Sequence, residues 1–309
     1  MPPSLGLAIG AGLLGADGCS ALERLFLGGN PRLGDAAGES IAMALQAAGA
    51  AASALQRLDI SGCGLGERAG VAIGAALTAS PRLRYLNAGG NALGPAAGRA
   101  IAAALQGVGT ALQHLHLQGN PLGAEAAAQL APALHTNTSL QHLHLAATGV
   151  GPRAGAAFGG ALRANRALLH LHLDSNALGP EAGAAIAAAL VANTALQRLH
   201  LGHNELGAAA AGTVAAALPA NRTLRFLDLQ SNSIGVDAGT EISEALREND
   251  SLQHLGLQNN GLGSGAAGAA SRRRSSHPDT ALCISSAILH GRVQNIQGSA
   301  DQNDCHVYA

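Results

Sequence analysis

The strongest constraint in this chain is an interval. The segment LQHLHLQGNPLG begins at Leu112, LQHLHLAATGVG at Leu140 and LLHLHLDSNALG at Leu168, each start 28 residues after the last. The shared pattern L-x-x-L-x-L-x-x-N-x-L-G also starts at Leu55, Leu83, Leu196, Leu224 and Leu252. Of the seven steps from Leu55 to Leu252, six are 28 residues and one is 29. An earlier copy starts at Leu22, with one extra residue before Leu33 and a longer linker, AAGAAAS, before Leu55. A unit of this size cannot bury its apolar flank alone, so the nine copies must stack and share one extended core.

Inside each copy the hydrophobic period changes from two to about 3.6, the mark of a strand followed by a helix. In LQHLHLQGN, Leu115 and Leu117 point one way, and His114, His116 and Gln118 point the other. In the copy that begins at Leu168, GPEAGAAIAAAL opens a helix with Pro180 in its first turn. Ala182, Ala185, Ile186, Ala189 and Leu190 form the apolar stripe. Aromatic residues are 2% of the chain and Trp is absent, while hydrophobic residues reach 48%, so the core is made of Leu, Ala, Ile and Val. Thin helices of this kind lie close to the strand layer. Right-handed strand-helix-strand crossovers at every step then give an α/β solenoid, with a parallel sheet on the concave face and helices on the convex face.

This array resembles the leucine-rich repeat of the ribonuclease-inhibitor type over roughly residues 5–268. The resemblance rests on the Leu pattern and on the position that in the family is usually Asn or Cys. That position is filled here by Asn30, Cys63, Asn91, Asn120, Asn176, Asn204, Asn232 and Asn260, with Thr148 as the departure. The resemblance implies a horseshoe and a protein partner. Ribonuclease inhibitors are rich in Cys and acidic residues; this chain has four Cys and a net charge of -1, which speaks against that activity.

With Leu and Asn consumed by the core, function must be written in the remaining letters. One strand column reads Arg24, Arg57, Tyr85, His114, His142, His170, Arg198, Phe226, His254. The next reads Phe26, Asp59, Asn87, His116, His144, His172, His200, Asp228, Gly256. Six histidines therefore form a grid, extended by His200, on rungs about 4.8 Å apart. Exposed Phe26, Tyr85 and Phe226 with Arg57 and Arg198 are the residue types expected of interface anchors. The expected partner-binding set is these five together with Asp59, Asp228, the six grid histidines and His200. The grid also fits a metal trap or a pH-responsive patch. Duplicated strand positions that tolerate His account for it more simply, and no carboxylate stands within it. No metal site is therefore assigned, with the column His116, His144, His172 and His200 as the place where one would fall. Asp174 is the nearby acid.

Other classes fall away for chemical reasons. Lys is absent, which removes phosphate-loop, Schiff-base and lysine-base chemistry. Neither a GxSxG, an HExxH nor a catalytic Cys-His arrangement occurs, so the expectation is a non-enzymatic scaffold without cofactor. A pI near 6.9 gives no general field for nucleic acid or a membrane surface. The cysteines form no CxxC pair, consistent with a reduced, cytoplasmic, monomeric protein bound to another protein. Two alternatives share the repeat type: a regulator of small GTPases like the Ran GTPase-activating proteins, and a sensor region related to nucleotide-binding receptors. The first would be expected to carry an acidic tail, the second a phosphate loop.

The expected organisation is a capping half-repeat over 1–21, the array over 22–270 and a C-terminal tail over 271–309. The apolar stretch 2–16 lacks the basic start of a signal peptide, and Ile9 and Leu13 repeat the spacing of Ile186 and Leu190. In the tail, RRRSS at Arg272–Ser276 reads as a solvated basic run. The tail itself reads as disordered, or as an improvised cap built on TALCISSAILHG from Thr280. Asn137, Asn221 and Asn249 match the N-glycosylation pattern. They share their repeat position with Asn165 and Asn193, which do not, so a loop that requires Asn accounts for all five.

Overall fold

The computed structural model describes residues 8, 22–47, 54–107, 109–263 and 283–285. Its strands are β1 Arg24–Phe26, β2 Arg57–Asp59, β3 Tyr85–Asn87, β4 His114–His116, β5 His142–His144, β6 His170–His172, β7 Arg198–His200, β8 Phe226–Asp228, β9 His254–Gly256 and β10 Cys283–Ser285. Its helices are α1 Gly34–Ala47, α2 Glu67–Thr78, α3 Pro95–Gln106, α4 Gly123–Thr136, α5 Gly151–Ala164, α6 Gly179–Leu190, α7 Gly207–Ala217 and α8 Val236–Ala245. The strands make one parallel sheet in chain order, β1 to β10, and from α1 to α8 a helix follows each strand. This is the leucine-rich-repeat strand-helix solenoid expected from the period.

From β2 to β9 each three-residue strand buries its central Leu beneath the sheet. Leu58, Leu86, Leu115, Leu143, Leu171, Leu199, Leu227 and Leu255 pair rung to rung and are at most 1% exposed. Burying a leucine contributes about 1.5–3 kcal/mol, so one repeated letter supplies much of the cohesion. The neighbouring strand positions stay half-buried or exposed, which frees a whole face of the sheet.

Two asparagine ladders tie the rungs together. Asn204 illustrates the first. Its Nδ2 donates to Leu173 O of the preceding rung at 2.9 Å and to Leu201 O of its own rung at 3.0 Å, while its Oδ1 accepts from Asn176 N at 2.8 Å. Asn176, Asn232 and Asn260 donate in the same two directions. Cys63 substitutes its thiol, which donates to Leu27 O. Thr148 has one hydroxyl proton and spends it on Leu145 O of its own rung at 2.7 Å, so its reach to the preceding rung is lost.

The second ladder lies at the helix-to-strand loops. Asn193 donates to Leu162 O and Asn165 O, and Asn221 to Leu190 O and Asn193 O. Their Oδ1 atoms accept from the backbone two and three residues on. Asn137, Asn165, Asn193, Asn221 and Asn249 are 2–8% exposed, so the glycosylation pattern falls on buried amides. These residues link rungs; they do more than shape a turn.

The α6 stripe is broader than the periodicity suggests: Gly183 and Ala187 are buried with Ala182, Ile186, Ala189 and Leu190, whereas Ala185 is half-buried. Each helix packs against its neighbours as well as the sheet. A Cβ at Gly183 would sit 2.8 Å from Ala210 Cβ on α7. Of the expected half-repeat over 1–21, only Ala8 is described, and it is helical; the rest, including Ile9 and Leu13, lies outside the described residues. In the tail, Cys283, Ile284 and Ser285 pair with His254, Leu255 and Gly256, extending the sheet by one strand. RRRSS lies outside the described residues.

Candidate functional site: a ring-lined strip on the open face of the sheet

The two columns read from the sequence are the registers of the ladder. His114 pairs with His142 and His142 with His170; His116 pairs with His144, His144 with His172 and His172 with His200. Strands about 4.8 Å apart force adjacent rings into contact. His114 stacks on His142 at 4.1 Å and His142 meets His170 edge-on at 4.2 Å. In the second column His116–His144 is 5.8 Å, His144–His172 4.5 Å and His172–His200 3.9 Å. His200 then stacks on Phe226 at 4.5 Å, and Phe226 lies 5.8 Å from His254. At the other end Tyr85 approaches His116 at 5.2 Å and His114 at 5.8 Å. Ring contact thus runs unbroken from β3 to β9.

Two arginines lie against the strip's rings, Arg57 from just outside it on β2 and Arg198 from within it on β7. The Arg57 guanidinium lies over Tyr85 at 4.6 Å and that of Arg198 6.0 Å from the Phe226 ring centroid. Phe26, 60% exposed, stands on β1, separated from the strip by the Asp59 rung. Asp59 is engaged locally, accepting from Ser61 N and Oγ and from Asn87 Nδ2. Asp228 accepts from Gln230 N, and burial raises its carboxyl above the ordinary value.

Packing rings against one another strips water from them and makes protonation costly. Burial first, then neighbouring positive groups, push His142, His144, His170 and His200 down to about 4 and His172 down to about 2. His114 and His116 are lowered by the same first cause. The face is therefore a wall of neutral imidazoles near neutral pH.

Asp174 is the acid that the sequence placed one column outside the grid. Its Oδ1 accepts from Gly202 N at 2.9 Å, and its Oδ2 lies 4.0 Å from His172 Nδ1. Burial raises its carboxyl to about 6. His203, whose charge acts on both Asp174 and Asp228, and His254, at the end of the ring strip, were outside the expected site. His203 occupies a left-handed turn position filled in the other copies by Gly29, Gly62, Gly90, Gly119, Ala147, Ser175, Ser231 and Asn259, and its being the one ring in that column was its sequence signal.

The fold and the strip define a leucine-rich-repeat solenoid with a ring-lined open face. Four segments, residues 110–131, 164–187, 192–215 and 220–243, match the family described as Leucine Rich repeat. They support a leucine-rich repeat protein. No curated protein matches the chain. One solved structure it is similar to is Leiomodin-1 Actin-Binding Site 2 (ABS2), at 21% identity and a TM-score of 0.42, covering 49% of this chain and 90% of that one. Among the described residues no helix is long and apolar enough to cross a membrane.

Proposed function

We propose that the protein is a non-enzymatic interaction scaffold whose partner, another protein, docks on the concave strip from Tyr85 to Phe226. The observation that carries this reading is the continuous ring contact across β3 to β8, with the Arg57 and Arg198 guanidinium groups against its Tyr85 and Phe226 rings. Rings and guanidinium groups concentrate binding energy, because they bury large areas with few torsions to freeze. Adjacent rungs hold those groups in fixed order, so little ordering entropy remains to be lost on binding. The ribonuclease-inhibitor subtype and a cytoplasmic setting belong to the same proposal and rest on the repeat length and on cysteines that form no CxxC pair.

The test uses a partner obtained by affinity capture and then purified. Phe226→Ala and Arg198→Ala should each weaken it by more than about 1 kcal/mol in titration calorimetry, whereas Arg163→Ala on α5 should be nearly silent. A footprint confined to the helices would reject the strip as the docking face. Stimulated GTP hydrolysis on mixing with a captured small GTPase would replace the plain scaffold by the regulator.

A further inference from the structure

We propose that His172, Asp174 and His200 form a binding site for one divalent transition-metal ion of the zinc class. Among the described residues, this is the group of three potential ligands whose donor atoms all lie within 4.8 Å of one another. The set is chemically mixed in the way such ions favour, two imidazoles and one carboxylate, and it leaves a position open for water or a partner's side chain. No part of the proposed scaffold role requires it.

The site is built from the fold. β6 and β7 set His172 and His200 side by side in register, their ring centroids 3.9 Å apart. Asp174 continues the β6 chain two residues on, and the Gly202 N–H fixes one of its oxygens at 2.9 Å. That bond leaves Oδ2 on the side of His172 Nδ1, at 4.0 Å, with the two side chains only 28% and 21% exposed. Gly202 is part of the design: a Cβ there would lie 3.2 Å from Asp174 Oδ1 and 3.0 Å from Gln230 Cγ, crowding the carboxylate. The other titratable and charged groups that act on the three are His116, His144, His170, Arg198, Asp228 and His203. Arg198 reaches toward Phe226 on the next rung.

Loading the site needs a small local movement. Ligand atoms about 2.0–2.1 Å from a tetrahedral ion are about 3.4 Å apart, so the donors must close in from their present spread. The two imidazole planes are 14° from parallel, and one ring must turn about χ2 to aim its lone pair at the ion. That torsion is broad in histidine, and both side chains stand on the open face, so no core residue has to shift.

The test is a calorimetric titration of the full chain with ZnCl2 at neutral pH, paired with visible spectra of the Co2+-loaded protein. The expected result is one ion per chain with low-coordinate Co2+ bands, and a loss of about tenfold or more in affinity in Asp174→Asn and His200→Gln. Asp174→Asn keeps an oxygen for Gly202 N–H and His200 lies outside the core, so both variants should retain the parent's circular dichroism. His114→Gln, elsewhere in the grid, should bind as the parent does. Several weak ions per chain, or an Asp174→Asn variant that binds like the parent, would overturn the proposal. Failure of partner binding would leave this outcome untouched, since no partner is present.

Discussion

At the scale of single residues, the strip carries a pH signature with a definite sign. Free histidine titrates near 6.5, yet His142, His144, His170 and His200 are held at about 4 and His172 at about 2. Between those values the unfolded chain takes up protons that the native chain refuses. Stability should therefore be complete above about pH 6.5 and fall as the pH drops toward 4. Asp174, raised to about 6, and Asp228 act in the opposite direction, because the native state holds their protons more tightly. Two carboxyls against five strongly shifted imidazoles leave a net loss on acidification. Urea midpoints measured from pH 7 to 4.5 should decline, and His114→Gln with His142→Gln should flatten the decline. A parent profile level across that range would contradict the packing of the rings. The columns themselves were legible in the sequence, because strand alternation fixes which letters share a face. Asp174 was legible as the nearby acid one column outside the grid, but its turn toward His172 was not, because that depends on the chain's bend after β6 and on the Gly202 N–H, neither of which has a periodic signature.

At the scale of elements, the helices carry a rule that hydrophobic periodicity hides. Glycine reads as a weak helix former, costing roughly 0.5–1 kcal/mol against alanine. Yet Gly38, Gly98 and Gly155 occur at one helical position, and there a Cβ would lie 2.6, 2.5 and 2.7 Å from the Cβ of Ala69, Ala126 and Ala182 on the following helix. They are spacers between helices. Adjacent glycines on α5 separate the two meanings. A Cβ at Gly159 would meet the Ala185 backbone at 2.6 Å, while Gly160 has nothing within 4 Å. Gly160→Ala should raise stability by about 0.5–1 kcal/mol, and Gly159→Ala should lower it by about 1–3 kcal/mol through overpacking. Thermal denaturation of the two variants checks this, and shifts of the same sign would refute it. The strand, turn and helix order was readable because the period switches within each copy. The α6 stripe came out too narrow because the 3.6 period reports a helix facing a sheet, and here the helix also faces its neighbours. The loop asparagines were assigned correctly to a structural role, but their bonds span 28 to 31 residues, a distance that a local turn argument does not reach.

At the scale of the whole molecule, stability is a sum of rung and interface contributions, so the weakest interface decides where the array opens. That interface is marked by Thr148. In the rungs of Asn176, Asn204, Asn232 and Asn260, one amide bridges to the preceding rung; the Thr148 hydroxyl bonds Leu145 O of its own rung and lies 3.4 Å from Asn176 Oδ1 of the following one, with no bond to the rung before it. Thr148→Asn should restore the bridge to Leu117 O and add about 0.5–1.5 kcal/mol. Hydrogen exchange should show β4 and β5 opening less often in the variant, and unchanged exchange there would remove Thr148 from this role. Both asparagine ladders donate in the same sense, from a later rung to the carbonyls of the one before it. Synthesis also runs in that sense. A growing chain emerging first at its N-terminal end therefore always carries one rung whose carbonyls await their donors, and each new repeat completes its predecessor before it is itself complete.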